Sequence, residues 1–485
     1  MMKYIFILII SALLNITTTT NAQNWTEPVQ ISALQGINHY PDFCIDKNGT
    51  IHCVWSYKVE SNYWHIYYSK STDDGLTWSI PENVSQNTSM WMEEPHIVAD
   101  SENNLHLTYD FNTGDYYHTL VVHREFDGNN WSEEDTVSTG WPGSMHNRLV
   151  IDNNDKLYCF WYHPYQNGTI FYRILENEQW GVISVIYDNN DLTVFMRGVV
   201  DSSNNIRCTG IHHYQGQSGY DDRIITFDFI NGEWTDWVQL SDNTSWGGND
   251  IAIDSNNNPK IVWRQEIDDS IPPNHGTLYA EFNDENWTAP MLIAENGSDQ
   301  AIAVDVNNIV HIIDNEQTED GYRLLHYRYI DNEWVGEIIE EDTFGNYGNK
   351  LINRENYLYL VSAKAYSSSP NPDIPIVLRK YEITTSIENT IKPVFSAYNI
   401  YPNPSSGNTT ISYSIQEENK QTSIKIYDLQ GKLINTILNE TQPPGEYQIV
   451  WNGTGKNGKE VNSGLYLIRL QAGRQIMTRS VEIIK

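Results

Sequence analysis

The chain has 485 residues, 63 acidic against 30 basic, and a formal net charge of −33. That balance excludes nucleic acid as a partner, because phosphate recognition needs a basic footprint. Any anionic ligand must instead be met by a local cluster of Arg, Lys or His. Four cysteines are too few for a disulfide scaffold, while 31 Tyr and 16 Trp suit both sheet packing and stacking on sugars.

The chain opens with Met1-Met2-Lys3, the apolar run YIFILIISALL and the small-residue segment Asn21-Ala22-Gln23. A charged start, a short apolar run and a small-residue cleavage site predict a secretory signal over residues 1–22. The run is too short to span a bilayer and no later stretch is long enough, so no membrane span is expected.

From residue 23 to about 390 the sequence repeats. An apolar pair ending in Asp, followed by a turn, recurs at Asp46, Asp100, Asp152, Asp201, Asp254 and Asp305, with Asn353 in the seventh place. Seven residues after each stand Cys53, Leu107, Cys159, Cys208, Ile261, Ile312 and Leu360, which read as buried strand residues. A Trp opening a short strand recurs at Trp25, Trp78, Trp131, Trp180, Trp234, Trp287 and Trp334, at spacings of 47 to 54 residues. Each unit contains four short alternating strands and Asn/Asp/Gly turns, which predicts an all-β, seven-bladed propeller with the N-terminal strand completing the last blade. Turn chemistry accounts for the Asp-rich loops. No cofactor is expected, and structural calcium is the alternative reading of those loops.

The stretch Ser71-Thr72-Asp73-Asp74-Gly75-Leu76-Thr77-Trp78 resembles the Asp-box of sialidase-like propellers, a structural motif away from their active centres. Residues 391–485 differ in pattern. Tyr401-Pro402-Asn403-Pro404, Tyr427-Asp428 with Gly431, Trp451-Asn452-Gly453 and Gly464-Leu465-Tyr466 resemble the C-terminal sorting domain of the Bacteroidetes type IX secretion system. The resemblance implies a small β-sandwich, passage through that machinery to the cell surface or medium, and removal of the tail. A carbohydrate-binding module is the alternative reading.

The repeat also indexes a site. Six residues before each marker stand Tyr40, Glu94, His146, Phe195, Gly248, Asp299 and Tyr347. Four before stand Asp42, His96, Arg148, Arg197, Asp250, Ala301 and Asn349. Period-2 alternation predicts that both columns share one strand face at a channel mouth. Exits of the second strands add Tyr57, Tyr162, His163, His212, His213, Tyr214, Arg264 and Gln265. A basic and aromatic cluster in so acidic a chain suggests an anionic polysaccharide ligand. The chemistry that fits is β-elimination on a uronate: His146 as base, Tyr214 as acid and Arg197 neutralising the carboxylate. Tyr40, His96, Arg148, Tyr162, His163, His212, His213 and Arg264 are the expected substrate-binding residues. In architecture and residue types the assembly resembles the seven-bladed ulvan lyases. The other readings are a sialidase-like glycoside hydrolase, for which carboxylate pairs can be drawn from Asp42, Glu94, Asp250 and Asp299, and a non-catalytic glycan-binding propeller.

Overall fold

The computed structural model describes residues 25–33, 36–58, 63–85, 90–112, 118–138, 143–163, 169–186, 192–216, 219–241, 248–267, 275–283, 286–330, 333–365, 373–383, 395–416, 420–429, 431–473 and 475–485. The expected signal, 1–22, lies outside them. Every regular element is a β-strand paired antiparallel to its neighbours. Seven innermost strands, Asn38–Ile45, Trp91–Ala99, Met145–Ile151, Leu192–Val200, Asn249–Ile253, Ala301–Val304 and Asn346–Arg354, contact one another in sequence, and the last returns to the first. The molecule is a seven-bladed β-propeller followed by a β-sandwich. Val29–Gln30 pairs with Ile376–Glu382, so the N-terminal strand is the outermost strand of blade seven.

The repeat markers have distinct physical roles. All seven residues counted from the marker, Cys53 through Leu360, are 0% exposed. The strand-opening tryptophans pack on the preceding blade: Trp131 on Tyr68, Trp180 on His123, Trp234 on Phe160, Trp334 on Tyr279 and Trp25 on His326. Each marker carboxylate caps its own turn. Asp152 Oδ1 accepts from Asn154 N and Lys156 N, and Asp201, Asp254 and Asp305 repeat the arrangement. The N–H of the next residue then donates to a side-chain oxygen in the neighbouring turn: Lys47 to Asn103, Ser101 to Asp155, Asn153 to Asn204, Ser202 to Asn257 and Ser255 to Asn308, all at 2.7–3.0 Å. Arg354 joins the ends by donating to the Asp46 carbonyl. The Ser71–Trp78 turn is closed by Asp73, which accepts from Ser71, Thr77 N and the Thr77 hydroxyl.

Blade seven departs from the expected register. Its first hairpin closes with Arg354 opposite Tyr357, without the longer Asp turn. The residue aligned with the Asp markers is therefore Arg354, not Asn353. Lys350 is aligned with Asp42, because each resumes pairing just after a bulge.

The tail does not stand apart from the propeller. Gln475–Ile483 pairs with Glu333–Asp342, the outer strand of blade six, making one eight-stranded sheet. Its own core gathers Ile411, Tyr413, Ile424, Trp451 and Ile468. Tyr427 and Leu467 instead join Trp263, Ile267 and Leu292 of blade five. Arg469, 6% exposed, donates to Tyr327 Oη at 3.2 Å and lies 4.0 Å from Glu316, while Lys425 reaches Glu295 at 3.0 Å. Strand addition satisfies backbone groups that an open edge would leave bare.

Two outcomes are expected. Asp254→Ala loses caps at Asn256 and Asn258 and an ion pair to Lys260 at 3.3 Å, and should cost about 2 kcal/mol in denaturant unfolding. Ending the chain at residue 390 uncovers Trp334, Leu292 and Ile267, at roughly 2 kcal/mol for each large side chain exposed. The truncated propeller should melt lower and associate on sizing columns.

Candidate functional site

Five of the seven innermost strands show a register shift of one residue near the mouth: His39/Asp42, Glu93/His96, Met145/Arg148, Val194/Arg197 and Tyr347/Lys350. At the corresponding position of every blade the backbone is left-handed, with φ between 51° and 81° at Tyr40, Glu94, His146, Phe195, Gly248, Asp299 and Gly348. Left-handed backbone is costly for residues with a Cβ, and five of these carry one. This corrects the expectation of plain alternation. A bulge separates the two columns, so they form two rings and not one continuous face.

The outer ring holds the paired groups. His146 Nδ1 lies 3.0 Å from both Glu94 oxygens. Its ring packs on Phe195 at 4.7 Å and stacks over Tyr162 at 6.3 Å. Its backbone N–H donates to Asp110 Oδ2 at 2.7 Å. Asn147 Nδ2 bridges Asp110 Oδ1 and the Glu94 carbonyl, at 2.8 and 2.9 Å. Asn349 makes the matching bond to the Asp299 carbonyl, at 2.8 Å. Burial disfavours a charged His146, but Glu94 and then Asp110 outweigh it and raise its pKa above the usual imidazole value. Burial would raise Glu94, yet His146 holds that carboxyl low. Burial and the Glu94 charge push Asp110 up to about 8 and Glu93 up to about 7. Burial and then Glu94 push the Tyr40 phenol up to about 12, so it keeps its proton.

The inner ring is a belt of charge. His96 Nδ1 lies 3.1 Å from Asp42 Oδ2 and 3.0 Å from Arg148 Nη1, and one nitrogen can satisfy only one of them. Burial and Arg148 lower His96 to about 3, so it is neutral. Lys350 Nζ lies 4.0 Å from Asp42 Oδ1. Burial and the Arg148 charge lower Lys350 to about 7, and burial and Arg197 lower Arg148 to about 9. Asp42 and Asp250 each spend an oxygen on the next blade, accepting from Ile97 N at 3.2 Å and Ile302 N at 3.1 Å.

The structure thus brings Tyr40, His96, His146, Arg148, Tyr162 and Arg197 to one end of the channel. Arg264 lies beside them, close enough for its charge to oppose the burial-driven rise of Asp299. It does not bring in the remaining histidines. His163 is 3% exposed with its edge on Phe171, His212 is 1% exposed and stacks on Trp237, and His213 is 2% exposed and bonded to Asp222 in its own blade. In blade four the strands Ile206–Gly216 and Gly219–Ile230 continue past these positions, so His212 and His213 lie within a long hairpin. The Tyr214 side chain lies outside the described residues. Two groups were missed. Asp110 holds in blade two the register of Tyr162 in blade three, as Asp110 pairs with Glu93 and Tyr162 with Met145. Lys350 was hidden by the shorter turn of blade seven. Glu94, Asp110 and His146 offer ligand atoms within 4.8 Å of one another and are the described residues that could hold a metal ion. The carboxylate oxygens of Glu94 and Asp110 are already engaged by His146 and Asn147.

Replacing Glu94 by Gln leaves burial and Arg197, which lower His146, opposed by Asp110 alone. Its pKa, followed by imidazole NMR, should fall from above 6.5 in the parent to a lower value in the variant.

Residues 400–475 match the FlgD Ig-like domain family. No curated protein sequence matches the chain. Among solved structures the chain is similar to one described as a new family of polysaccharide lyase, an ulvan lyase, with a TM-score of 0.52 and 11% identity over 72% of this chain and 95% of that one. It is similar to the polysaccharide lyase Uly1, with a TM-score of 0.50 and 8% identity over 71% and 90%. An α-L-arabinanase of Penicillium chrysogenum complexed with arabinobiose gives 0.45 and 12% over 73% and 98%. At these identities the likeness is one of fold, the β-propeller.

Proposed function

We propose that the chain is an exported polysaccharide lyase that cleaves a uronic-acid-containing, ulvan-like glycan by β-elimination. The observation that carries this reading is the His146–Glu94 pair at the mouth, seated above a belt of partly buried cations. With Nδ1 held by Glu94, the opposite ring nitrogen, Nε2, is the one free to take a proton. Arg197 neutralises the uronate carboxylate and makes the C5 proton removable. His146 takes that proton, its electrons form the C4–C5 double bond, and the C4–O4 bond breaks. Tyr40, 47% exposed at the mouth, returns a proton to O4, a role first expected of Tyr214. The name of the similar ulvan lyase supports this substrate class. The type IX sorting resemblance supports export of the whole chain, with the tail docked on blade six.

A hydrolase reading has one observation in its favour. Glu94 is held low while Asp110 is pushed up to about 8, the divergence expected of a nucleophile and an acid. Against it, both Asp110 oxygens are engaged by His146 N and Asn147, and the residue is 7% exposed.

The full chain incubated with ulvan and other uronate polysaccharides should produce ultraviolet absorbance from the new double bond. His146→Ala should lower that rate by about 10²–10⁴-fold while retaining binding. A base must be unprotonated, so the rate rises with pH through the His146 pKa. In Glu94→Gln that rising limb should move to lower pH with a lower plateau. New reducing ends without absorbance would establish the hydrolase instead.

A further inference from the structure

The inner ring itself holds three cations, Arg148, Arg197 and Lys350, against two carboxylates, Asp42 and Asp250. Arg148, Arg197 and Lys350 stand at equivalent positions of blades three, four and seven; Arg197 opposes the charging of Arg148, and both arginines oppose that of Lys350. Asp42 and Asp250 face these cations, and each has turned an oxygen to the backbone of the next blade; Glu94 of the outer ring also acts on both arginines, but its two oxygens are paired with His146. Among the described residues no carboxylate lies within ion-pair distance of either arginine, and the contact of Lys350 with Asp42 is at the 4.0 Å limit. Arg148 is 8% exposed, its Nε has no hydrogen-bond partner, and its Nη1 competes with Asp42 for one nitrogen of His96. Among the described residues, Arg197 donates only to the carbonyl of its own neighbour, Met196, at 3.1 Å. A buried guanidinium left this short of acceptors is costly unless something else supplies them. The belt is open from the mouth, since the Lys350 side chain keeps 23% and that of Asp42 15% of their exposure.

We infer that this belt is an oxyanion-binding site, built for one carboxylate or sulfate group between Arg148, Arg197 and Lys350. A planar guanidinium presents paired N–H donors that match two oxygens of such a group, and the Lys ammonium supplies a third direction. The ligand has two sources with the same chemistry: a group carried on a saccharide, or a free inorganic anion. Arg197 belongs also to the proposed reaction. Arg148 and Lys350 do not, so the site stands whether the protein is a lyase, a hydrolase or a binder.

The test is thermal unfolding of the full chain, titrated with sodium sulfate, sodium glucuronate and neutral glucose, with sodium chloride holding ionic strength constant. The expected result is a saturable rise in Tm with sulfate, glucuronate or both, none with glucose, and loss of the rise in Lys350→Met and in Arg148→Met. Glucuronate binding at least tenfold tighter than sulfate assigns the site to a sugar-borne group, and the reverse assigns it to a free anion. Lys350→Arg, which keeps the charge, should retain the effect and shows that a lost response is not a folding defect. Equal rises in the parent and both Met variants, or no rise above the chloride control, overturn the site. Neither outcome depends on turnover, so it leaves the elimination reading to its own assay.

Discussion

One carboxylate in each of the first six blades, accepting N–H groups of its own turn, underlies the rest of this structure. That bond fixes the tight hairpin between the first and second strands of a blade, and with it the length of the innermost strand. It also directs the next N–H toward the neighbouring turn, so the cap of one blade becomes the seam between two. Where the seventh turn lacks the carboxylate, an arginine closes the ring by a different bond. Because each turn is bonded to the next, the distance from turn to mouth is the same around the ring. The residues six and four positions upstream therefore arrive at two defined levels of one channel.

At that mouth the same device yields chemistry. A left-handed residue in every blade breaks the alternation, and in five blades it carries a side chain. In blades two and three those side chains are Glu94 and His146, and their pairing couples a carboxylate to an imidazole in partly buried surroundings. The level below is charged and more buried, with cations in excess. The protein as a whole is strongly acidic, so this local reversal is the feature that singles out the channel as the place where an anion is held.

The tail follows a different logic. Its sequence reads as an independent sandwich, and it has a core of its own. Yet its last strand completes blade six, and Tyr427 and Arg469 are buried against the propeller. An unpaired edge and a few large side chains are enough to join two units that each look complete. Removing the tail would therefore leave a surface that the propeller is not built to expose.

The repeat was legible because a fixed turn forces a fixed offset, and seven tryptophans at near-constant spacing report the packing of each outer strand on the preceding blade. Those regularities gave the fold, the ring closure by the N-terminal strand, and the two columns containing His146, Arg148 and Arg197. They could not give Lys350, since a shorter hairpin moved the count by one residue, or Asp110, whose partner Asn147 lies 37 residues away. Nor could they show that His163, His212 and His213 are enclosed within their blades. The sequence by itself determined which residues share a register, because local hydrogen bonding sets strand length and turn type. Only the tertiary structure decided which of them meet, because the bulges, the contacts between blades and the balance of charge across the channel arise when distant segments are brought together.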